Sequence, residues 1–149
     1  MGDYKTSAIQ NILRIVLGLL MILAGVGHLT FLRVPFQAQV PNWVPLNKDL
    51  VVVLSGVVEI TLGAAMVFLS SRKAMAGLVL AAFYIAIFPG NISQYITHTS
   101  AFGLDTDSKR FIRLFFQPVL VAWALWSTGA WHYLVEKLKN KPPVFTSSK

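Results

Sequence analysis

Four long stretches of this 149-residue chain carry almost no charge, and each is long enough to cross a lipid bilayer. They cover residues 15–32, 50–71, 74–104 and 114–135, and the single acidic or basic residue within them is Glu59. Only 13% of all residues are charged, about half the usual share of a soluble domain. Mean hydropathy is +0.62. The sequence therefore predicts an integral membrane protein.

The residue counts also exclude several kinds of chemistry. The chain has no cysteine, so it cannot form disulfides, thiolate metal sites or cysteine nucleophiles. The net charge of +7 could indicate a nucleic-acid-binding protein. The lysines and arginines instead lie between the uncharged stretches and form no stripe. We therefore expect the lipid bilayer as the partner, no nucleic acid and no metal site.

The predicted fold class is all-α, an antiparallel bundle of four transmembrane helices. The helices are expected at residues 9–31, 50–69, 74–96 and 111–133. Residues 70–73 leave so short a connection that the second and third helices must form an antiparallel hairpin. The four helices make up one domain of residues 9–134, with a short N-terminus at 1–8 and a basic tail at 135–149.

The distribution of lysine and arginine predicts the orientation, because cytoplasmic loops are enriched in both residues. One side of the predicted bundle carries Lys5, Arg72, Lys73, Lys137, Lys139, Lys141 and Lys149. The other side carries Arg33, Lys48, Lys109 and Arg110. We therefore place both termini in the cytoplasm.

Polar side chains within the apolar helices are the candidate functional residues, since a charge at a helix centre costs about 2.5–3.5 kcal/mol on insertion scales. They are Arg14, His28, Glu59, Asn91, Gln94, Arg113 and Gln117. Helical spacing places them on the same faces as small residues such as Gly18 and Gly63, so polar stripes are expected to face inward. Glu59 is predicted to pair with Arg113, with Arg14 as the competing partner.

Two helix breaks lie near these polar residues. Pro89, followed by Gly90, and Pro118 each leave one backbone carbonyl without its helical donor. Such breaks are tolerated in a membrane where the freed groups face protein or a wet cavity. The pattern predicts a small polar pocket in the outer half of the bundle, with Glu59 at its floor. The alternative is a buried polar network that only fixes the register of the helices.

Four motifs, one in each helix, resemble the DoxX-like family of small four-helix membrane proteins. They are Ala24-Gly25-Val26-Gly27-His28, Ser55-Gly56-Val57-Val58-Glu59, Phe88-Pro89-Gly90-Asn91-Ile92 and Arg113 to Gln117-Pro118. The resemblance covers residues 9–133 and implies a bundle in the bacterial inner membrane. Some members of the DoxX-like family are linked to membrane redox complexes such as thiosulfate:quinone oxidoreductase. Related eukaryotic proteins act as assembly chaperones for nicotinic acetylcholine receptors.

Three functions are compatible with these residues. The leading hypothesis is a non-catalytic subunit that binds, assembles or anchors a protein partner or another copy of itself, because the sequence shows no haem ligand pair or flavin motif. The alternative is a quinone-binding subunit of a redox complex, in which His28, Asn91, Arg113 and Gln117 surround the quinone carbonyls. The third is a small-solute or proton-coupled transporter in which Glu59 titrates. No cofactor other than a quinone is expected.

Overall fold

The computed structural model describes residues 5–139, and this part of the chain is all helical, without a strand. Its helices are α1 (Ala8–Leu29), α2 (Arg33–Phe36), α3 (Lys48–Phe68), α4 (Lys73–Ile96), α5 (Asp107–Ser127) and α6 (Ala130–Lys139). Short 3-10 turns cover Gln37–Gln39 and Ser70–Arg72. Residues 1–4 and 140–149, which include part of the predicted basic tail, lie outside the described residues.

Three segments are long and apolar enough to cross a membrane: Ala8–Leu29, Lys48–Phe68 and Ser70–Ile96. Helices α5 and α6 count as a fourth if the bent pair is one span. Large apolar side chains such as Leu19, Leu54 and Ile85 are exposed on the outer surface of these helices. Exposed apolar surface on long apolar helices is compatible with a membrane protein.

The last predicted helix, at residues 111–133, differs from the structure at both ends. Helix α5 begins at Asp107 because Thr106 caps it, its side chain accepting a hydrogen bond from the Lys109 amide. The helix ends at Ser127, and the chain then bends by 83° into α6. Gly129 has a φ of 73°, a left-handed conformation that ends helices and that glycine adopts without strain.

Two glycine pairs bring α1 and α3 into close contact. A Cβ atom on Gly25 would lie 2.6 Å from the carbonyl oxygen of Gly56, and one on Gly63 would lie 2.6 Å from the carbonyl oxygen of Gly18. Both distances are too short for any side chain, so the two backbones touch directly. Helix α4 packs along α5 in the other extensive helix pair, and the shared core includes Leu17, Met66, Leu80 and Ala124.

Candidate functional site

A cavity of about 460 Å³ lies between α1, α3, α4 and α5, and the segment after α2 covers it. Its volume is within the range of small-molecule sites. Most of its wall is apolar, with Leu17, Val52 and Ile87 among the lining residues. The polar lining residues are His28, Gln39, Ser55, Glu59, Tyr84, Asn91, Arg113 and Gln117. The structure thus places five of the seven candidate residues around one cavity, and Arg14 and Gln94 lie elsewhere.

Glu59 and His28 face each other across the contact between α1 and α3. Glu59 Oε2 lies 3.3 Å from His28 Nδ1, and both side chains are buried. Gly56 makes room for the histidine, because a Cβ atom there would lie 2.7 Å from His28 Cβ. The two atoms are in close contact, but they do not form a hydrogen bond. Glu59 Oε2 and both His28 ring nitrogens have no hydrogen-bond partner within residues 5–139.

The expected partners of Glu59 have other neighbours. Among residues 5–139, Glu59 is in close contact with His28 and forms an ion pair with neither arginine. Arg113 lines the same cavity, its Cζ atom 5.9 Å from the centroid of the Phe102 ring. The buried Nε of Arg113 has no hydrogen-bond partner in that range.

Arg14 does not line the cavity, and it lies far from His28 along α1. It precedes His28 by 14 positions, which corresponds to about 21 Å along an α-helix. Its guanidinium donates to the Met66 carbonyl and, over 3.5 Å, to Ser70 Oγ. Arg14 therefore satisfies carbonyl and hydroxyl groups at the end of α3 and takes no part in the cavity.

Asn91 and Gln117 form the second polar pair of the cavity. The Asn91 side-chain amide donates to Gln117 Oε1 over 2.9 Å, and the Gln117 amide donates to the Tyr84 carbonyl over 2.6 Å. This carbonyl lies five residues before Pro89, and α4 continues as a helix through the proline. Pro89 and Gly90 line the cavity, whereas Pro118 is not a lining residue.

Gln94 lies outside the cavity wall, although it is almost completely buried. Its Oε1 accepts a 3.4 Å hydrogen bond from Gln39, and its amide donates to the Thr99 carbonyl over 3.3 Å. Through Gln39 it ties the connection between α2 and α3 to α4, and through Thr99 it ties the connection between α4 and α5 to α4. The candidate cluster therefore separates into a cavity group and two outlying residues, Arg14 and Gln94.

The segment that covers the cavity is absent from the sequence-based site. Phe36, Gln39, Val40, Pro41, Trp43 and Val44 line the cavity from this side. The Phe36 ring lies edge-on to the His28 ring, and the backbone of Gln39 approaches Gly90 so closely that no Cβ fits there. The sequence signal for this covering segment is a set of three prolines that alternate with two aromatic residues. The same pattern is also typical of a loop at the level of the lipid headgroups.

An ion pair closes the base of this covering segment. Arg33 donates from Nε to Asp49 Oδ1 over 2.6 Å and from Nη2 to the other carboxylate oxygen, and Gln37 adds a 3.2 Å bond to the same aspartate. The hydrogen bond to Asp49 raises the pKa of Arg33 above its ordinary value. The start of α2 and the start of α3 are thus joined, which holds the cover in place.

The cavity combines an apolar wall with unmet hydrogen-bonding groups of both kinds. Arg113 supplies a donor, Glu59 supplies an acceptor, and the neutral imidazole of His28 supplies one of each. Buried polar atoms in proteins nearly always have partners, so unmet ones around a cavity indicate a ligand or water. The arrangement fits a compact, largely apolar molecule that carries hydrogen-bonding oxygen atoms.

These features define an all-helical protein with several apolar helices long enough to span a membrane and a polar cavity between them. Over residues 17–128 the chain matches a family described as a domain of unknown function (DUF8561), and it belongs to that family. The matched range contains every polar residue of the cavity. No curated protein and no solved structure matches the chain.

Proposed function

We propose that the protein is an integral membrane subunit that binds a lipid-soluble quinone in the cavity below Phe36 and Trp43. The observation that carries the proposal is the set of unmet polar atoms on Glu59, His28 and Arg113 around a largely apolar cavity. A quinone has an apolar ring and two carbonyl oxygens, and its reduced form has two hydroxyl groups. Both forms match what this cavity offers.

Each redox form of the ligand has suitable partners. A quinone carbonyl accepts from Arg113 Nε–H or from the protonated nitrogen of His28. A quinol hydroxyl donates to Glu59 Oε2 or to the unprotonated imidazole nitrogen. The Glu59–His28 pair therefore serves as the proton acceptor when a quinol is oxidised, and the apolar wall holds the ring.

The framework of this proposal is a DoxX-like, antiparallel four-helix bundle in the bacterial inner membrane, with both termini in the cytoplasm. Two contacts support this topology. Lys73 Nζ, at the connection of α3 and α4, donates to Thr6 Oγ1 over 2.9 Å. Gln10, at the start of α1, donates to the Trp126 carbonyl near the end of α5 over 2.7 Å. The start of α1, the α3–α4 connection and the end of α5 thus share one end of the molecule.

A protein partner belongs to the same proposal. The 149 residues include no cysteine to ligate an iron–sulfur cluster or form a redox dithiol. The chain therefore acts as a quinone-binding subunit without an electron carrier of its own, and a second protein of the membrane complex donates or accepts the electrons. This keeps the expected role in partner binding and adds to it a defined ligand site.

The test is the amount of quinone retained when the protein is purified from its own membranes in mild detergent, measured by mass spectrometry. We expect close to one quinone per chain in the wild type. Arg113→Gln removes a charge-assisted hydrogen bond of about 1.5–3 kcal/mol, so retention should fall by roughly 10- to 100-fold. Arg14→Gln is the matched control, since it removes a buried arginine outside the cavity and should leave retention unchanged.

The proposal is wrong if wild-type protein carries no more quinone than its co-purified lipid accounts for. A thermal unfolding curve for each variant separates lost binding from lost folding. If Arg113→Gln does not fold, Trp43→Ala at the exposed edge of the cavity provides the second variant. It should release quinone with little loss of stability, because Trp43 is 72% exposed.

A further inference from the structure

Helix α6 leaves α5 at a fixed angle. The bend of 83° lies at Thr128 and Gly129, and the side chains of Ser127, Thr128 and Ala130 are fully buried. Thr128 Oγ1 donates to the Ala124 carbonyl over 2.7 Å, and the side chain packs directly on the backbone of Gly77 in α4. Because the bend is packed on α4 and hydrogen-bonded, α6 runs nearly perpendicular to the helix before it. If α5 spans the membrane, α6 lies along its surface.

The sequence of α6 is that of an amphipathic interfacial helix. Its apolar residues Trp131, Leu134, Val135 and Leu138 follow the i, i+3, i+4, i+7 pattern of a single face. Leu134 packs against the core, whereas Trp131 and Leu138 are 56% and 66% exposed. A tryptophan on such a face is typical of the boundary between headgroups and acyl chains.

This end of the molecule is basic. Contacts described above place the start of α1, the α3–α4 connection and the end of α5, from which α6 continues, near one another. Within segments 5–10, 70–73 and 127–139, the basic residues are Lys5, Arg72, Lys73, Lys137 and Lys139, and the acidic residue is Glu136. Lys137 and Lys139 are exposed, and Lys137 Nζ lies 5.8 Å from the centroid of the Tyr133 ring. Basic residues beside an amphipathic helix attract anionic lipid.

We propose that α6 is a lipid-binding helix that recognises the headgroups of anionic phospholipids. Lys137 and Lys139 pair with headgroup phosphates, and Trp131 and Leu138 enter the acyl boundary below them. The inference rests on the membrane span in the proposed function but not on the quinone, because the cavity does not include any residue of α6.

The first experiment measures lipid selectivity. Full-length protein is exchanged into detergent with equal phosphatidylglycerol and phosphatidylcholine, and bound lipids are counted by native mass spectrometry. We expect a preference for phosphatidylglycerol that falls about fivefold for each lysine removed in Lys137→Gln and Lys137→Gln/Lys139→Gln. Lys48→Gln/Lys109→Gln is the matched control, because it removes the same charge from the first turns of α3 and α5, outside α6.

An unchanged preference in the α6 variants overturns the proposal, as does an equal loss in the control. Inorganic phosphate provides a further arm. If it displaces the bound phosphatidylglycerol, the basic end binds free phosphate and the lipid proposal is wrong. If wild-type protein retains no quinone but these readouts appear as expected, only the proposed quinone function fails.

The second experiment locates α6 in the bilayer. Since the chain has no cysteine, a single spin label can be attached after Leu138→Cys or Glu136→Cys substitution. In nanodiscs of phosphatidylglycerol, the label at 138 should be relaxed by oxygen dissolved in the acyl region. The label at 136 should be relaxed by a water-soluble nickel chelate. Equal exposure of both labels to the chelate would contradict an interfacial helix.

Discussion

His28 Nδ1 lies 3.3 Å from Glu59 Oε2, and neither atom completes a hydrogen bond. The two residues meet because Gly56 leaves the space that the histidine occupies. Their contact joins α1 to α3 at the wall of the cavity. It leaves Glu59 Oε2 and the ring nitrogens of His28 without a hydrogen-bond partner. The same two residues therefore contribute both to helix packing and to the proposed site.

The His28–Glu59 contact should appear as an energetic coupling. His28→Leu leaves Glu59 buried without its neighbour, so the free energy of unfolding should fall by about 1–3 kcal/mol. The double variant His28→Leu/Glu59→Leu should lose less than the sum of the single variants. Unfolding in mixed micelles with increasing dodecyl sulfate measures all three. Strictly additive losses would show that the two residues do not interact.

The backbone contact between α1 and α3 should tolerate no side chain. Gly25→Ala places a methyl group 2.6 Å from the Gly56 carbonyl, so the helices must separate, at a cost of about 1–3 kcal/mol. Gly27→Ala is the control, because its methyl group would meet the flexible side chain of Leu32 at 3.1 Å. The same micelle titration should show a smaller loss for the control. Equal losses would mean that the contact with the Gly56 carbonyl does not explain the effect.

Gln117 should stabilise the part of α4 around Pro89. Gln117→Leu removes the donor to the Tyr84 carbonyl and the acceptor for Asn91, leaving buried polar groups unmet at about 1–3 kcal/mol. Hydrogen exchange of the Tyr84–Asn91 segment, read by mass spectrometry, should become faster in this variant. Phe116→Leu, a change on the exposed face of α5, should leave that exchange rate unchanged. Equal rates in Gln117→Leu and the wild type would contradict this role.

The bend between α5 and α6 should depend on a left-handed residue. Gly129→Ala introduces a Cβ atom at a φ of 73°, which costs about 1–2 kcal/mol. Gly129→Asn should lose less stability, since asparagine adopts this conformation more readily. Thermal unfolding in detergent orders the three proteins. A loss for asparagine as large as for alanine would indicate that size at this position matters more than backbone conformation.

The segment that covers the cavity should open more often when the ion pair between Arg33 and Asp49 is removed. Arg33→Gln removes the ion pair to Asp49, and hydrogen exchange of residues 37–44 should become faster with little change in global stability. Quinone should also dissociate faster from this variant. Lys109→Gln is the control, since it removes an exposed ion pair to Asp105 outside the cover and leaves the Arg33–Asp49 pair intact. If exchange stays slow in both variants, apolar packing alone holds the covering segment in place.

The apolar stretches and their boundaries were readable from local sequence, because the length and apolar content of a spanning helix are properties of the segment itself. The expected spans at residues 9–31, 50–69 and 74–96 correspond closely to α1, α3 and α4. The cavity residues Glu59, His28, Asn91, Arg113 and Gln117 also stood out, because polar side chains in apolar helices are costly and few. Locating them needed no knowledge of helix packing.

Their pairing depended on contacts between segments far apart in the chain. The rotation of α1 against α3, set by Gly25 and Gly56, brings His28 to Glu59 and leaves Arg113 across the cavity, while Arg14 lies about four turns away. The cover from Phe36 to Val44 and the direction of α6 likewise depend on packing against α4. Local composition decides which segments become apolar helices, because each segment carries that information. Partners and angles emerge only when the helices pack.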